Sequence, residues 1–228
     1  RDSSTSRGLG DVYKRQIGYR DTKGFTVVAQ TSKEHETRAM MDGQIHDINM
    51  VASTISEIRD RLEYMTGRTY KDVCIAAAGR VLKTVEAEAE IDFNSETVVT
   101  TEKIYTLDML GVENAYEKLR EEQNSDDIKF YCVGYSVKHY YQNGYAITNL
   151  EGHKCNKISC EIIATFLPDE VVDGLYTAVE RAGLYVANLT LEPIAAINVA
   201  IPERFRLLNI ALVDVGAGTS DISITKDG

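Results

Sequence analysis

Strand and helix patterns alternate at both ends of this chain and are interrupted by a β-rich middle, a layout that constrains the fold more than any single motif. Ile17 to Gln30 alternates about Gly24 and predicts strand, turn, strand. From Asp47 the apolar residues Ile48, Val51, Ile55, Ile58, Leu62 and Met65 are spaced by three and four, which places them on one face of a helix. Asp47 is its expected N-cap and Gly67 its stop. Asp72 to Gly79, with Val73, Cys74, Ile75 and three alanines, predicts a buried parallel strand. After the middle, Pro168-Asp169 opens a helix carrying Val172, Leu175, Ala178, Val179 and Ala182 on one face, stopped by Gly183. A strand over Val186 to Leu191 and a helix from Glu192-Pro193 to about Ala200 follow.

The middle reads differently. Val81, the run Thr84 to Ile91 and Phe93 alternate, then a polar connection leads to a helix expected from about Leu107 to Glu122. Gln123 to Asp127 is a loop, and strands are expected over Ile128 to Val137, Tyr140 to Thr148 and Ile158 to Phe166, with Gly144 and Gly152 at turns. The tyrosines at 131, 135, 140, 141 and 145 fit either an aromatic binding stripe or sheet packing, and strand spacing favours packing. The expected fold is therefore an α/β domain interrupted by a small α+β unit. Its outer part would cover 17–96 and 167–206, the inserted unit 97–166, and a following segment 207–228.

Asn209 to Ile224 carries the chemistry. An apolar strand ends at Asp214, a turn holds Gly216, Ala217 and Gly218 with the hydroxyls of Thr219 and Ser220, and a second alternating strand follows. Glycines let backbone N–H groups converge on an anion, because no Cβ blocks the approach and positive φ costs little. Asp214 at the strand end could hold a hydrated Mg²⁺ beside a phosphate, since Mg²⁺ takes one or two carboxylates and keeps several waters. Taken alone, the same residues also make an ordinary glycine-containing hairpin.

Composition excludes several classes. A net charge of −10 is wrong for a general nucleic-acid binder, which needs a basic face. The four cysteines form no CxxC pair and no secretory signal is evident, so a reduced cytoplasmic setting is expected. His153, Cys155 and Cys160 lie close in sequence, yet a structural zinc site wants four ligands and no fourth is apparent. Residues 1–16 are Ser-, Gly- and Arg-containing without hydrophobic period. They resemble translated sequencing-adapter sequence, and the alternative is a disordered tail; either way they are set apart from the fold.

The turn Asp214-Val-Gly216-Ala217-Gly218-Thr219-Ser220-Asp221 resembles the second phosphate loop of the actin, DnaK-type chaperone and sugar-kinase superfamily, which reads Asp-x-Gly-x-Gly-Thr-x-Asp. Ala217 replaces a glycine common there. Leu191-Glu192-Pro193-Ile194-Ala195-Ala196 is similar to the Glu-Pro-x-Ala-Ala element that precedes this loop, where the carboxylate faces the water aligned on the γ-phosphate. As an isolated feature, Glu192 could equally be a helix-start carboxylate answering the helix dipole.

Within that superfamily the chain resembles the bacterial cell division protein FtsA. The likeness rests on Asp42 to Ile48, Val179 to Leu184, Leu189 to Pro193 and Ala211 to Gly228, and on an inserted unit that follows the first long helix instead of preceding it. The resemblance implies an actin-like (ribonuclease H-like) ATPase core with a strand-helix-strand-strand subdomain of the 1C type. It implies ATP and Mg²⁺ as ligands, with Asp214 on the metal, Gly216, Ala217, Gly218, Thr219 and Ser220 at the phosphates, and Glu192 and Asp214 catalytic in a weak ATPase. It implies FtsZ and other divisome proteins as partners, self-association into filaments, and a peripheral place on the cytoplasmic face of the inner membrane through a C-terminal helix. The family's first phosphate loop, adenosine motif and membrane helix are not in the sequence, so a fragment with little ATP binding of its own is expected. A PilM-type pilus-assembly scaffold is the alternative, and a DnaK-type chaperone or a sugar kinase is disfavoured by the place and character of the insertion.

Overall fold

The computed structural model describes residues 12–22, 24–34, 39–41, 44–77, 82–123, 128–206, 208–215 and 220–225. The chain opens with the strands β1 (Val12–Asp21), β2 (Gly24–Glu34), β3 (Met40–Met41) and β4 (Gln44–Ile45), then helix α1 (Ile48–Thr66) and β5 (Asp72–Ala77). The middle holds β6 (Lys83–Val98), α2 (Thr101–Gln123), β7 (Phe130–Gln142), β8 (Tyr145–Ile147) and β9 (Lys154–Pro168). Alternation resumes with α3 (Asp169–Arg181), β10 (Tyr185–Leu191), α4 (Glu192–Ala200), α5 (Glu203–Arg206), β11 (Ile210–Val215) and β12 (Ser220–Thr225). Two compact units result, an outer one of residues 1–80 and 170–228 and an inner one of residues 81–169.

In the outer unit, α1 forms where its apolar spacing and caps predict it. The Asp47 carboxylate accepts from the Met50 N–H at 3.0 Å, and the Gly67 N–H donates to the Glu63 carbonyl at 2.8 Å. The buried stripe Val51, Ile55, Ile58 and Leu62 shares one core with Ala29 of β2, Val73 and Ile75 of β5, and Ala178 and Val179 of α3. β5 pairs in parallel with β10, and α3 precedes β10 in the chain. α3 ends in a Schellman motif: Leu184 N–H reaches the Val179 carbonyl and Gly183 N–H the Glu180 carbonyl, with Gly183 at φ +74°. Arg59 of α1 donates to the Ala182 carbonyl at this end, so a cation answers the negative end of the α3 dipole. β1 begins at Val12, with Val12 opposite Glu34, so residues 12–16 of the stretch read as adapter-like sequence or a disordered tail pair with β2 as strand.

The inner unit is a four-stranded antiparallel sheet, ordered β6-β9-β7-β8, with α2 packed on one face. β9 alternates strictly: Ile158, Cys160, Ile162, Ala164 and Phe166 are buried against the α2 side. Leu107, Ala115 and Leu119 of α2 complete this core. A Cβ added at Gly111 would lie 2.9 Å from the Ile162 Cδ1, so the missing side chain is what lets α2 come this near to β9. The boundary at 97 is corrected by this sheet. β6 pairs with β9 from Lys83 to Val98, so residues 83–96 belong to the inner unit and supply its first strand. α2 also starts six residues earlier than expected, because Thr100 accepts from the Lys103 and Ile104 N–H groups and serves as the cap. β7 and β8 are joined at Asn143-Gly144, at φ +47° and +84°, the signs a type I′ hairpin requires, so Tyr140 and Tyr141 fall in β7.

Candidate functional site

The outer unit carries both expected carboxylates, Glu192 at the start of α4 and Asp214 on β11. β10 ends at Leu191, and Glu192 begins α4 with Pro193 beside it in the first turn, where a missing N–H costs no helical hydrogen bond. Glu192 is half-buried and its Oε1 is buried, at the helix end that favours negative charge. α4 touches β5, β10 and β12. The Ser223 hydroxyl of β12 donates to the Pro193 carbonyl at 3.1 Å and ties the hairpin to the start of α4.

β11 and β12 are antiparallel, with Val213 opposite Ile222, Asp214 opposite Asp221 and Val215 opposite Ser220. Asp214 is half-buried and shares the β11 face of Ile210 and Leu212. Gly216, Ala217, Gly218 and Thr219, the turn expected at the phosphates, lie outside the described residues, and Ser220 is the first residue of β12.

Two positioning residues escaped the sequence reading. Thr225 is buried, donates to the Leu208 carbonyl at 2.8 Å and accepts from the Ile210 N–H at 3.3 Å, fastening the start of β11 to the end of β12. Arg206 donates to the Ile201 and Asn198 carbonyls at 3.1 and 3.3 Å, closing the C-terminal end of α4. The only signal for Thr225 and Ser223 was their alternation with Ile222 and Ile224, which marks a face and not a partner.

In the inner unit, the sheet face away from α2 carries exposed Glu86, Glu88 and Glu90 on β6. Lys138 pairs with Glu86 at 3.0 Å and Lys157 with Glu90 at 2.7 Å, while the Tyr141 hydroxyl donates to Glu161 at 2.6 Å. The tyrosines divide: Tyr140 packs into the core, while Tyr131, Tyr135 and Tyr145 are exposed, so packing accounts for only part of the stripe. Cys155 and Cys160 are buried and His153 is exposed, and the described residues contain no group of three or more potential metal ligands. Among the described residues, no helix is long and apolar enough to cross a membrane.

No protein-family model matches the chain. Cell division protein FtsA of Escherichia coli K12 is 26% identical over 192 residues, covering 84% of this chain and 43% of that protein. FtsA of Streptococcus pneumoniae is 21% identical over 193 residues and FtsA of Bacillus subtilis 23% over 197, again across 84% of this chain. The chain thus resembles FtsA along most of its sequence and spans 40 to 43% of the length of these relatives. In fold it is similar to a chain of the PilM-PilN type IV pilus biogenesis complex, at a TM-score of 0.65 and 13% identity, covering 99% of this chain and 57% of that one.

Proposed function

We propose that this chain is part of an actin-like, ATP-binding cell division protein of the FtsA kind, and that the β11–β12 hairpin is its second phosphate loop. The observation that carries the reading is the shared resemblance to FtsA from three organisms across 84% of the chain. The contact between Ser223 and Pro193 supports it, since it couples the hairpin to the helix start that bears Glu192. In this reading the backbone of Gly216, Ala217 and Gly218 and the hydroxyls of Thr219 and Ser220 receive the β- and γ-phosphates. Asp214 is the carboxylate for a hydrated Mg²⁺, which when bound supplies neutralisation of phosphate charge. Glu192 orients the attacking water from the first turn of α4, where the helix dipole favours negative charge.

The partners follow from the same resemblance. The complete protein links an FtsZ ring to the cytoplasmic membrane as a peripheral protein, self-associates into filaments, and recruits divisome proteins through the inner unit, which serves as the 1C-type subdomain. One further reading has an observation behind it. The fold similarity to PilM-PilN over nearly the whole chain is compatible with a pilus-assembly scaffold that engages a PilN-like partner.

The test uses a complete protein containing this chain. MgATP binding is measured by equilibrium dialysis for the wild type, Asp214→Ala and Glu192→Ala. Asp214→Ala should weaken binding about tenfold or more, equivalent to about 1.4 kcal/mol. Glu192→Ala should leave binding near wild type and lower turnover. A wild type that binds no MgATP ends the nucleotide reading. Co-sedimentation then separates the roles: FtsZ in the pellet supports division, and a PilN-type segment in its place assigns the chain to pilus assembly.

A further inference from the structure

Asp108 is the one acidic residue among the buried described residues, at 8% exposure. It lies on the face of α2 that also carries Leu107, Gly111, Ala115 and Leu119, against the sheet. Its Oδ1 accepts from the Tyr140 hydroxyl of β7 at 2.9 Å, and Tyr135, also on β7, acts on the same carboxyl. Cys160 of β9 faces it as well, with its Sγ 3.9 Å from the Leu107 carbonyl. Tyr105 of α2 and Cys132 of β7 also act on Tyr135. The groups that act on this carboxyl or on its two tyrosines are thus hydroxyls and thiols, with no cation among them.

A buried carboxylate without a cation is expensive, and hydroxyl donors offset only part of the desolvation. Burial pushes the Asp108 carboxyl above its ordinary range, against the Tyr140 and Tyr135 hydroxyls that lower it. The same burial and the same carboxyl push Tyr140 up, and burial followed by the charge of Asp108 raises the Cys160 thiol to about 11. Both neighbours therefore stay protonated, and Asp108 is the member of the cluster that changes charge.

We propose that Asp108, Tyr135 and Tyr140 form a proton-operated latch between α2 and β7, tight when Asp108 is the neutral acid and looser when it is ionised. The neutral acid can donate to one tyrosine oxygen while accepting from the other hydroxyl, so all three groups stay satisfied without a buried charge. On ionisation the proton leaves to solvent through the partly exposed Tyr135 side, and the helix–sheet seam then encloses an uncompensated charge. The sign follows from the raised carboxyl. Its contribution to stability is complete below the pKa of the unfolded chain and is lost as pH rises through the higher value of the folded one. Local opening of α2 from the sheet therefore becomes easier toward neutral pH.

Amide hydrogen exchange on the 228-residue chain, corrected for intrinsic rates and read at α2 and β7 from about pH 4 to about pH 8, tests this. Each unit by which Asp108 titrates above its ordinary value makes about a tenfold difference in the opening constant between the ends of that range. Asp108→Asn, which stays neutral, should flatten this pH dependence relative to the wild type. Tyr140→Phe should move the transition to higher pH, because it removes a hydrogen bond that favours the charged form. Parallel pH profiles in the wild type and Asp108→Asn would overturn the latch. Should Asp108→Asn not fold, the carboxyl ¹³C shift of Asp108 in the wild type and Tyr140→Phe decides: a titration at or below the ordinary aspartate value rejects the proposal, and an elevated one that rises further in Tyr140→Phe upholds it.

Discussion

β9 in the inner unit and the β11–β12 hairpin in the outer one have the same alternation and opposite fates. In β9, Ile158, Ile162 and Ala164 are all 0% exposed, because α2 covers that face and strands flank both edges. In the hairpin, Val213, Val215, Ile222 and Ile224 are 53%, 71%, 62% and 73% exposed, while the half-buried opposite face carries Asp214 and Ser223. A two-residue period thus names a face without naming its cover. Where both faces of a strand are largely apolar, the pattern is that of a strand buried on both sides. The hairpin's outward face carries four exposed branched aliphatic side chains, and contiguous apolar faces mark places where something packs.

Substitutions that act on one region and not the other measure this difference. The largest effect is expected from Ile162→Ala, which opens a cavity under Gly111 and should cost about 2 to 5 kcal/mol in denaturant unfolding of the inner unit. A cost below about 1 kcal/mol would mean that β9 is no better packed than the hairpin. Thr225→Val comes next, because it strands the Leu208 carbonyl and the Ile210 N–H. It should cost about 1 to 3 kcal/mol, read as faster amide exchange in β11 and β12 with β7 and β9 unchanged. Ile222→Thr on the exposed face should change stability by no more than about 0.5 kcal/mol in this chain. A large loss there would show that the face is already covered.

The smallest effect concerns the surface of α1. A hydrogen bond from Lys33 leads the influences that hold the Glu57 carboxyl below its ordinary value. Stability from a lowered carboxyl is present above the unfolded pKa and disappears as pH falls through the lowered folded one. Glu57→Gln should therefore remove a small part of the acid dependence of the melting temperature, with little change at neutral pH. Identical acid profiles for wild type and variant would leave this exposed pair without a measurable contribution, as many surface pairs are.

Local signals were legible in particular residues. Asp47 and Gly67 cap α1 as their types predict, and Gly183 ends α3, because capping depends on groups within a few residues of each other. The start of α2 was missed, since Thr100 reads as part of a polar connection unless its hydroxyl is seen accepting from the next turn. The inner boundary was misplaced for a longer-range reason. Residues 83–96 alternate like any strand, and only pairing with β9, about 70 residues further along the chain, assigns them to the inner unit. At the candidate site, Glu192 and Asp214 stood out through the motifs around them, whereas Ser223 and Thr225 did not, because each works through a carbonyl distant in sequence.

The sequence alone determined the element types, the helix caps, the α/β character with its interruption, and the resemblance of two short motifs to a nucleotide-binding family. All of these rest on periodicity or on side-chain chemistry within a turn or two of the backbone. Tertiary structure decided which strands share a sheet, that Gly111 lets α2 approach β9, that the Ser223 hydroxyl joins the hairpin to α4, and that Asp108 is buried against the Tyr140 hydroxyl. Those depend on contacts between residues tens of positions apart, whose free energy comes from burial and hydrogen bonding that no local pattern encodes.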